Sequence, residues 1–376
     1  MEEGKEQPPR HKPLGIVLIV FAWFTYVIRL TIGYFRQFDV IKGFVKQYAA
    51  QRKAKQFAYV FRLVFSWLRQ SAATCSQLQC IDNYNDTVLC FSTGLFSSTV
   101  GNTSRFFPNE IVPAPWVFDI WLVIYGWGFL WLIYVTVCVC RKNSRGYFYV
   151  TPELFPPIFY VTWYVNNFFI LSWTFLNDSL QRVGATMLLA LIAFSLYYML
   201  YISYRRVDQN GPWLTENAPV DLWLIRALVH NGLAIYGTWV TIATLVGFSN
   251  VLTYESGYDN EDVSTGMLGL LLAIILVWFV LENFVFERYC RYTLVPFVVV
   301  VVALSGLIDK YIRFTGSLEK RNAIFACVML GVSSLVLVVR FSLVLWRHVT
   351  QPLYVNTVKT TSVKKSELNG GFTTEL

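Results

Sequence analysis

Charge is scarce in this 376-residue chain. Asp, Glu, Lys and Arg together make up 14 % of it, against about 25 % in a soluble domain. With several nearly uncharged runs of about twenty residues, the shortfall excludes a soluble globular fold and indicates several membrane spans. Histidine is as sparse, with three in the chain. No nucleophile elbow, Walker loop or metal-ligand cluster is present, and no cysteine pair has zinc-site spacing with a histidine. Catalysis therefore has no visible candidates, and a non-enzymatic protein is expected. A cleavable signal peptide is not expected either, because no clear small-residue cleavage site follows the first apolar run. The net charge of +8 does not point to nucleic acid. Its basic residues sit mostly beside apolar runs, where they suit orientation and lipid headgroups.

What is present is apolar and aromatic, 55 % and 17 % of residues respectively. Residues 1–13 read as a polar cytoplasmic tail and 14–34 as the first span, in which Arg29 is expected to snorkel to the nearer interface. The segment 35–112 reads as a long non-cytoplasmic stretch. Within it, residues 36–69 carry eight Lys/Arg and one acid among many aromatics, which suggests amphipathic helices lying on the membrane or on other helices. Further spans are expected at 116–140, 155–175, 185–204, 222–251, 267–286, 294–308 and 324–346, and Gly211-Pro212 reads as a turn between the fourth and fifth. The tail 347–376 reads as cytoplasmic and disordered. Eight spans put both termini on one side. Arg141, Lys142, Arg145, Arg205, Arg206, Arg288, Arg291 and Arg347 then share that side, which makes it cytoplasmic. The stretch 36–69 and the basic loop 309–322 run against this assignment.

The 35–112 segment also holds Cys75, Cys80 and Cys90 beside two glycosylation sequons, at Asn85 and Asn102. Together they favour an oxidising lumen or the cell exterior, with one disulfide in any of three pairings. The secretory pathway or plasma membrane is thus preferred to mitochondria. A third sequon, at Asn177, abuts a span and is expected to stay unused. The chain's last residues, Thr374-Glu375-Leu376, have the pattern of a PDZ-domain ligand: an apolar final residue, a free carboxylate and a hydroxyl two positions earlier.

The stretch Pro113-Ala-Pro-Trp-Val-Phe-Asp-Ile-Trp-Leu-Val-Ile-Tyr125 is the most distinctive. Proline suits the first turn of a helix, where its missing N–H has no partner to lose. Trp116, Phe118, Trp121 and Tyr125 then fall close together at helical spacing. They form either an interfacial aromatic belt or the mouth of an aromatic cavity. Asp119, Arg226, His230 and Glu282 lie near span ends, as headgroup-level anchors or as functional charges, and Arg226 and Glu282 are at depths where they could pair. Asn166 lies mid-span and needs a partner, which is either another helix or a ligand.

This stretch resembles the tryptophan-rich sensory protein (TspO) family, which includes the mitochondrial translocator protein. Two further segments agree in order: Asn166, Phe169 and Trp173 in the third span, and Tyr236-Gly-Thr-Trp239-Val-Thr-Ile-Ala243-Thr244 in the fifth. The family's fifth-helix Asn after the Ala-Thr pair is missing near Gly247, with Asn250 further on. The first loop is far longer than in five-helix members, and three spans lie beyond the five. The resemblance implies an all-α integral membrane protein of about eight transmembrane helices, with a TspO-like core over residues 113–251 and the first span, and three additional helices over 252–346. It also implies a pocket for a hydrophobic or aromatic ligand, porphyrin- or sterol-like, lined by Trp116, Trp121, Tyr125, Asn166, Trp239 and Ala243. The alternative is a transporter or channel-like protein for a small polar solute, with Asp119, Arg226 and Glu282 along its path.

Overall fold

The structure, a computed structural model, describes residues 12–48, 79–81, 89–91, 107–315 and 318–354, with the backbone alone for 33–48, 79–81, 89–91 and 314–315. Asn85, Asn102, Cys75, residues 49–69 and the C-terminal Thr374-Glu375-Leu376 lie outside the described residues.

Helix α1 (Pro13–Tyr48) begins on a proline at its first position and runs past the expected end of the first span. Strands β1 (Gln79–Ile81) and β2 (Leu89–Phe91) pair antiparallel, with Cys80 opposite Cys90. The proline-rich stretch opens as a 3₁₀ turn, Pro115–Asp119, before becoming helix α2 (Ile120–Cys140). A short hairpin, β3 (Lys142–Asn143) and β4 (Gly146–Tyr147), leads to α3 (Pro157–Asp178), again started by proline. Helix α4 (Arg182–Asn217) passes through Gly211-Pro212 without breaking, so the expected turn is absent and the chain reverses only at Ala218. The pattern read as a turn is overridden here by packing, since Gly211 lies against the ring of Tyr354, near which a Cβ would come within 2.3 Å.

Helix α5 (Pro219–Leu224) continues through a π-helical turn, Ile225–His230, into α6 (Asn231–Tyr254) as one span. Asp259 caps α7 (Asn260–Val280), its carboxylate accepting from the N–H groups of Glu261 and Asp262 at 2.9 and 3.1 Å. This satisfies donors that a helix start leaves free. A second π turn, Leu281–Val285, leads into α8 (Glu287–Cys290), then α9 (Val295–Thr315) and α10 (Arg321–Thr350). Seven of these segments are long and apolar enough to cross a membrane. Helix α3, at 22 residues, has the length to do so as well, but its polar Asn166 and Asn167 are buried among other helices rather than facing lipid.

Contacts between helices run round a closed ring, α1 to α3, α3 to α4, α4 to α6, α6 to α2 and α2 back to α1. A second ring, α6 to α7, α7 to α10, α10 to α9 and α9 to α6, shares α6 with the first. That sharing accounts for the composition of α6. Its span is the least hydrophobic of the seven and the most deeply buried. A helix with neighbours on every side needs small and shape-matched residues more than lipid-facing ones, and Gly232, Ala234 and Gly237 are among those buried.

The two ends of the bundle differ in charge. At one end Arg141 grips Asp221 bidentately (2.5 and 2.9 Å), Arg288 meets Asp208 at 2.5 Å and Arg206 meets Glu153 at 3.5 Å. The hydrogen bonds to Asp221 hold the Arg141 guanidinium above its ordinary range. At the other end the basic loop expected to oppose the orientation rule is neutralised in place. Lys320 meets Glu110 at 3.6 Å, Arg321 meets Asp262 at 2.6 Å and Arg313 meets Asp309 at 2.6 Å.

Candidate functional site

Arg29 does not snorkel. It is 3 % exposed and turns into the first ring of helices. Its guanidinium carbon lies 4.6 Å from the centre of the Tyr236 ring, 5.2 Å from that of Tyr125 and 5.9 Å from that of Trp163. Three helices besides its own, α2, α3 and α6, thus each present an aromatic face to one cation, an arrangement that the negative faces of the rings favour electrostatically. Beside this cage lies a small cavity of about 10 Å³, roughly the room that one water needs. Tyr26 and Arg29 from α1, Gly128 and Trp131 from α2, Trp163 from α3, and Gly232 and Tyr236 from α6 line it.

The two glycines let aromatic rings pack directly against the helix backbone. A Cβ on Gly128 would stand 3.1 Å from the Tyr26 ring, and one on Gly232 would meet the Trp127 indole at 2.5 Å. Tyr26 is fixed by donating its hydroxyl to the carbonyl of Tyr125. Trp131 and Trp163 meet edge to face at 5.0 Å between ring centres. Above the cage Trp121 bridges Tyr125 (5.8 Å), Tyr236 (6.0 Å) and Trp173 (6.5 Å). The rings thus fall into two contacting groups, Tyr26 with Trp163 and Trp131, and Trp121 with Tyr125, Tyr236 and Trp173, which meet at Arg29.

Of the residues singled out in the sequence, Trp121 and Tyr125 belong to the second of these groups. Trp239 is buried one step along α6, edge-on to Phe118 at 5.7 Å, and Ala243 is half-buried beyond it. Asn166 is fully buried, and its Nδ2 donates to the carbonyl of Ile192 (3.2 Å) and to Ser195 Oγ (2.8 Å), tying α3 to α4. Its Oδ1 has no partner among the described residues. Trp116 goes elsewhere. The 3₁₀ turn swings it away from Trp121 to donate from Nε1 to Asp309 on α9 at 2.9 Å, and it is 44 % exposed. Asn250 is engaged by Asn109, whose Nδ2 donates to it at 2.8 Å and to Ser249 at 3.0 Å. It thereby anchors the segment preceding the turn.

The suspected Arg226–Glu282 pair does not form. Glu282, fully buried, binds Arg340 of α10, which donates from Nη2 at 2.8 Å and from Nε at 3.1 Å. Arg340 also donates to Asn283 and to the carbonyl of Cys290. Glu282 is thus a core residue of the second ring and not a headgroup anchor. Arg226 lies against the rings of Tyr292 (4.2 Å) and Trp223 (5.0 Å), His230 bonds Ser203 at 2.9 Å, and Asp119 is exposed.

Sequence reasoning missed Tyr26, Arg29, Trp131 and Trp163 as parts of one site. The available signal was Arg29 itself, a permanent charge inside an apolar run, which is a functional suspect by default.

A helical-bundle integral membrane protein with an aromatic-walled cavity inside a five-helix ring is the class these features define. The family profile described as TSPO-like protein matches residues 87–341, about two thirds of the chain, and the chain belongs to that family. Neither the curated proteins nor the solved structures contain a match to it.

Proposed function

We propose that the protein binds a hydrophobic or aromatic small molecule, porphyrin- or sterol-like, in the cavity of its first helical ring, and acts by binding rather than by catalysis. The observation that carries this reading is the convergence of Tyr26, Trp131, Trp163 and Tyr236 from four helices on one space beside Arg29, with Tyr125 against the same guanidinium. Ligand pockets are concave, mostly apolar and furnished with few polar groups. The free space here, about 10 Å³, is far below the usual size of about 300–1,000 Å³, so this reading requires the helices of the ring to part around the ligand.

The rival reading, a path for a polar solute, needs Asp119, Arg226 and Glu282 to face one cavity. They occupy three separate environments, which weighs against it. The test is titration of intrinsic tryptophan fluorescence in the purified protein with a porphyrin and, separately, a sterol. Saturable quenching is expected with at least one. Trp121→Ala is expected to weaken it about fivefold, the equivalent of about 1 kcal/mol for one aromatic contact. Absence of saturable quenching by either probe would overturn the reading.

A further inference from the structure

The aromatic cage leaves Arg29 unsatisfied in a specific way. Its Nε and Nη2 are buried with no hydrogen-bond partner among the described residues, and the same is true of Trp163 Nε1 and Tyr236 Oη beside it. Ring faces attract the cation but do not accept its N–H groups in the plane of the guanidinium. Arginine does not give up its proton inside a protein. The site therefore holds a full positive charge, two unmet guanidinium nitrogens and an unmet indole N–H, at a depth where each is costly.

Among the described residues no carboxylate lines the cavity. The buried acids among the described residues are already taken, Glu282 by Arg340 and Asp221 by Arg141. Donors with a net charge of +1 and an apolar aromatic surround call for an acceptor-only anion joined to an apolar body. A neutral sterol would leave the donors unmet, and a hydrophobic cation would be repelled.

Resting on the reading that this cavity binds a hydrophobic ligand, we propose that the ligand carries an oxyanion, a carboxylate or its equivalent, that pairs with Arg29 while its apolar body lies on the aromatic wall. Carboxylate geometry matches the guanidinium fork, and the bond is of the strong, charge-assisted kind.

The experiment uses the full-length protein in nanodiscs of phosphatidylcholine, with energy transfer from tryptophan to pyrenebutyric acid and to its methyl ester. The acid is expected to bind at least about tenfold more tightly than the ester after correction for lipid partitioning, and Arg29→Gln is expected to abolish that preference. Arg29→Lys, which keeps the charge but loses the fork, should retain part of it. A measurement on the unaltered protein guards against misfolding of the variants: dodecanoate should displace the bound acid, and dodecanol should not. Adding phosphatidic acid to the nanodisc distinguishes the source of the anion. Competition by it would assign the oxyanion to a lipid headgroup, and no competition to a free acid. Equal binding of acid and ester, or equal displacement by dodecanoate and dodecanol, would overturn the oxyanion while leaving the cavity reading intact. Failure of both pyrene compounds to bind saturably would remove the cavity reading itself.

Discussion

Arg340 and Arg29 are both arginines buried in apolar helices, and they are solved oppositely. Arg340 has a carboxylate, a side-chain amide and a backbone carbonyl as acceptors, whereas Arg29 has rings. Breaking a buried pair leaves an uncompensated charge, which costs about 3–5 kcal/mol, while replacing both partners with apolar residues is often neutral. Arg340→Met and Glu282→Leu singly are therefore expected to lower the thermal midpoint sharply, and the double variant to recover most of it. A double variant as unstable as the sum of the singles would show that the two do not act as a pair. Asn166→Ala removes two interhelical hydrogen bonds. It is expected to cost about 1 kcal/mol of stability, at the modest net value of such bonds, measurable as a lower melting midpoint in detergent.

Among the elements, the 3₁₀ turn Pro115–Asp119 joins the two helical rings. The N–H of Ala114 donates to the carbonyl of Gly306 on α9 at 3.0 Å, and Val117 fits so closely there that a Cβ on Gly306 would lie 2.0 Å from its Cγ2. Gly306→Val is expected to undock the turn, at the roughly 1–3 kcal/mol typical of overpacking. Acrylamide should then quench Trp116 more strongly, and unchanged quenching with an unchanged melt would contradict the docking. The strand pair β1–β2 narrows the cysteine pairing left open by the sequence. Cys80 is opposite Cys90, and directly opposed residues of antiparallel strands stand about 4.5–5.5 Å apart at Cα, within the range of about 4.4–6.8 Å that a disulfide spans. Peptide mapping without reductant is expected to recover a Cys80–Cys90 linkage; a bridge involving Cys75 would refute that pairing.

At the scale of the whole molecule, two helical rings share α6 and the ends of the bundle carry different charge. The arginine-rich end gathers Arg141 on Asp221, Arg206 on Glu153 and Arg288 on Asp208. The opposite end binds its basic residues to acids of the adjoining loops. By the positive-inside tendency the first end is expected to be cytoplasmic, with Asn85 and Asn102 across the membrane and open to glycosylation. Digestion with an N-glycosidase should increase the mobility of the protein expressed in a eukaryotic cell. An unshifted band, with the 79–91 segment labelled by a cytosol-restricted reagent, would reverse the orientation.

That the chain is an all-α, multi-pass membrane protein was legible in the sequence because hydrocarbon imposes a local rule: every backbone group must be satisfied within a long apolar helix, and such a run is visible residue by residue. The family was legible for a related reason, since Trp121, Tyr125, Trp173 and Tyr236 fall in short ordered motifs. What one side chain meets across the bundle is not local. Trp116 and Trp121 share a motif, yet a 3₁₀ turn sends them to different rings. Glu282 and Arg226 lie at similar depth along their spans, yet Arg340, 58 residues further on, takes the carboxylate. Arg29 could have reached an interface by its own length, and the decision that it faces inward belongs to Tyr125, Trp163 and Tyr236. Those three rings converge on it only when α1, α2, α3 and α6 close into a ring, because the energy that holds a cation there is spread over helices far apart in the chain.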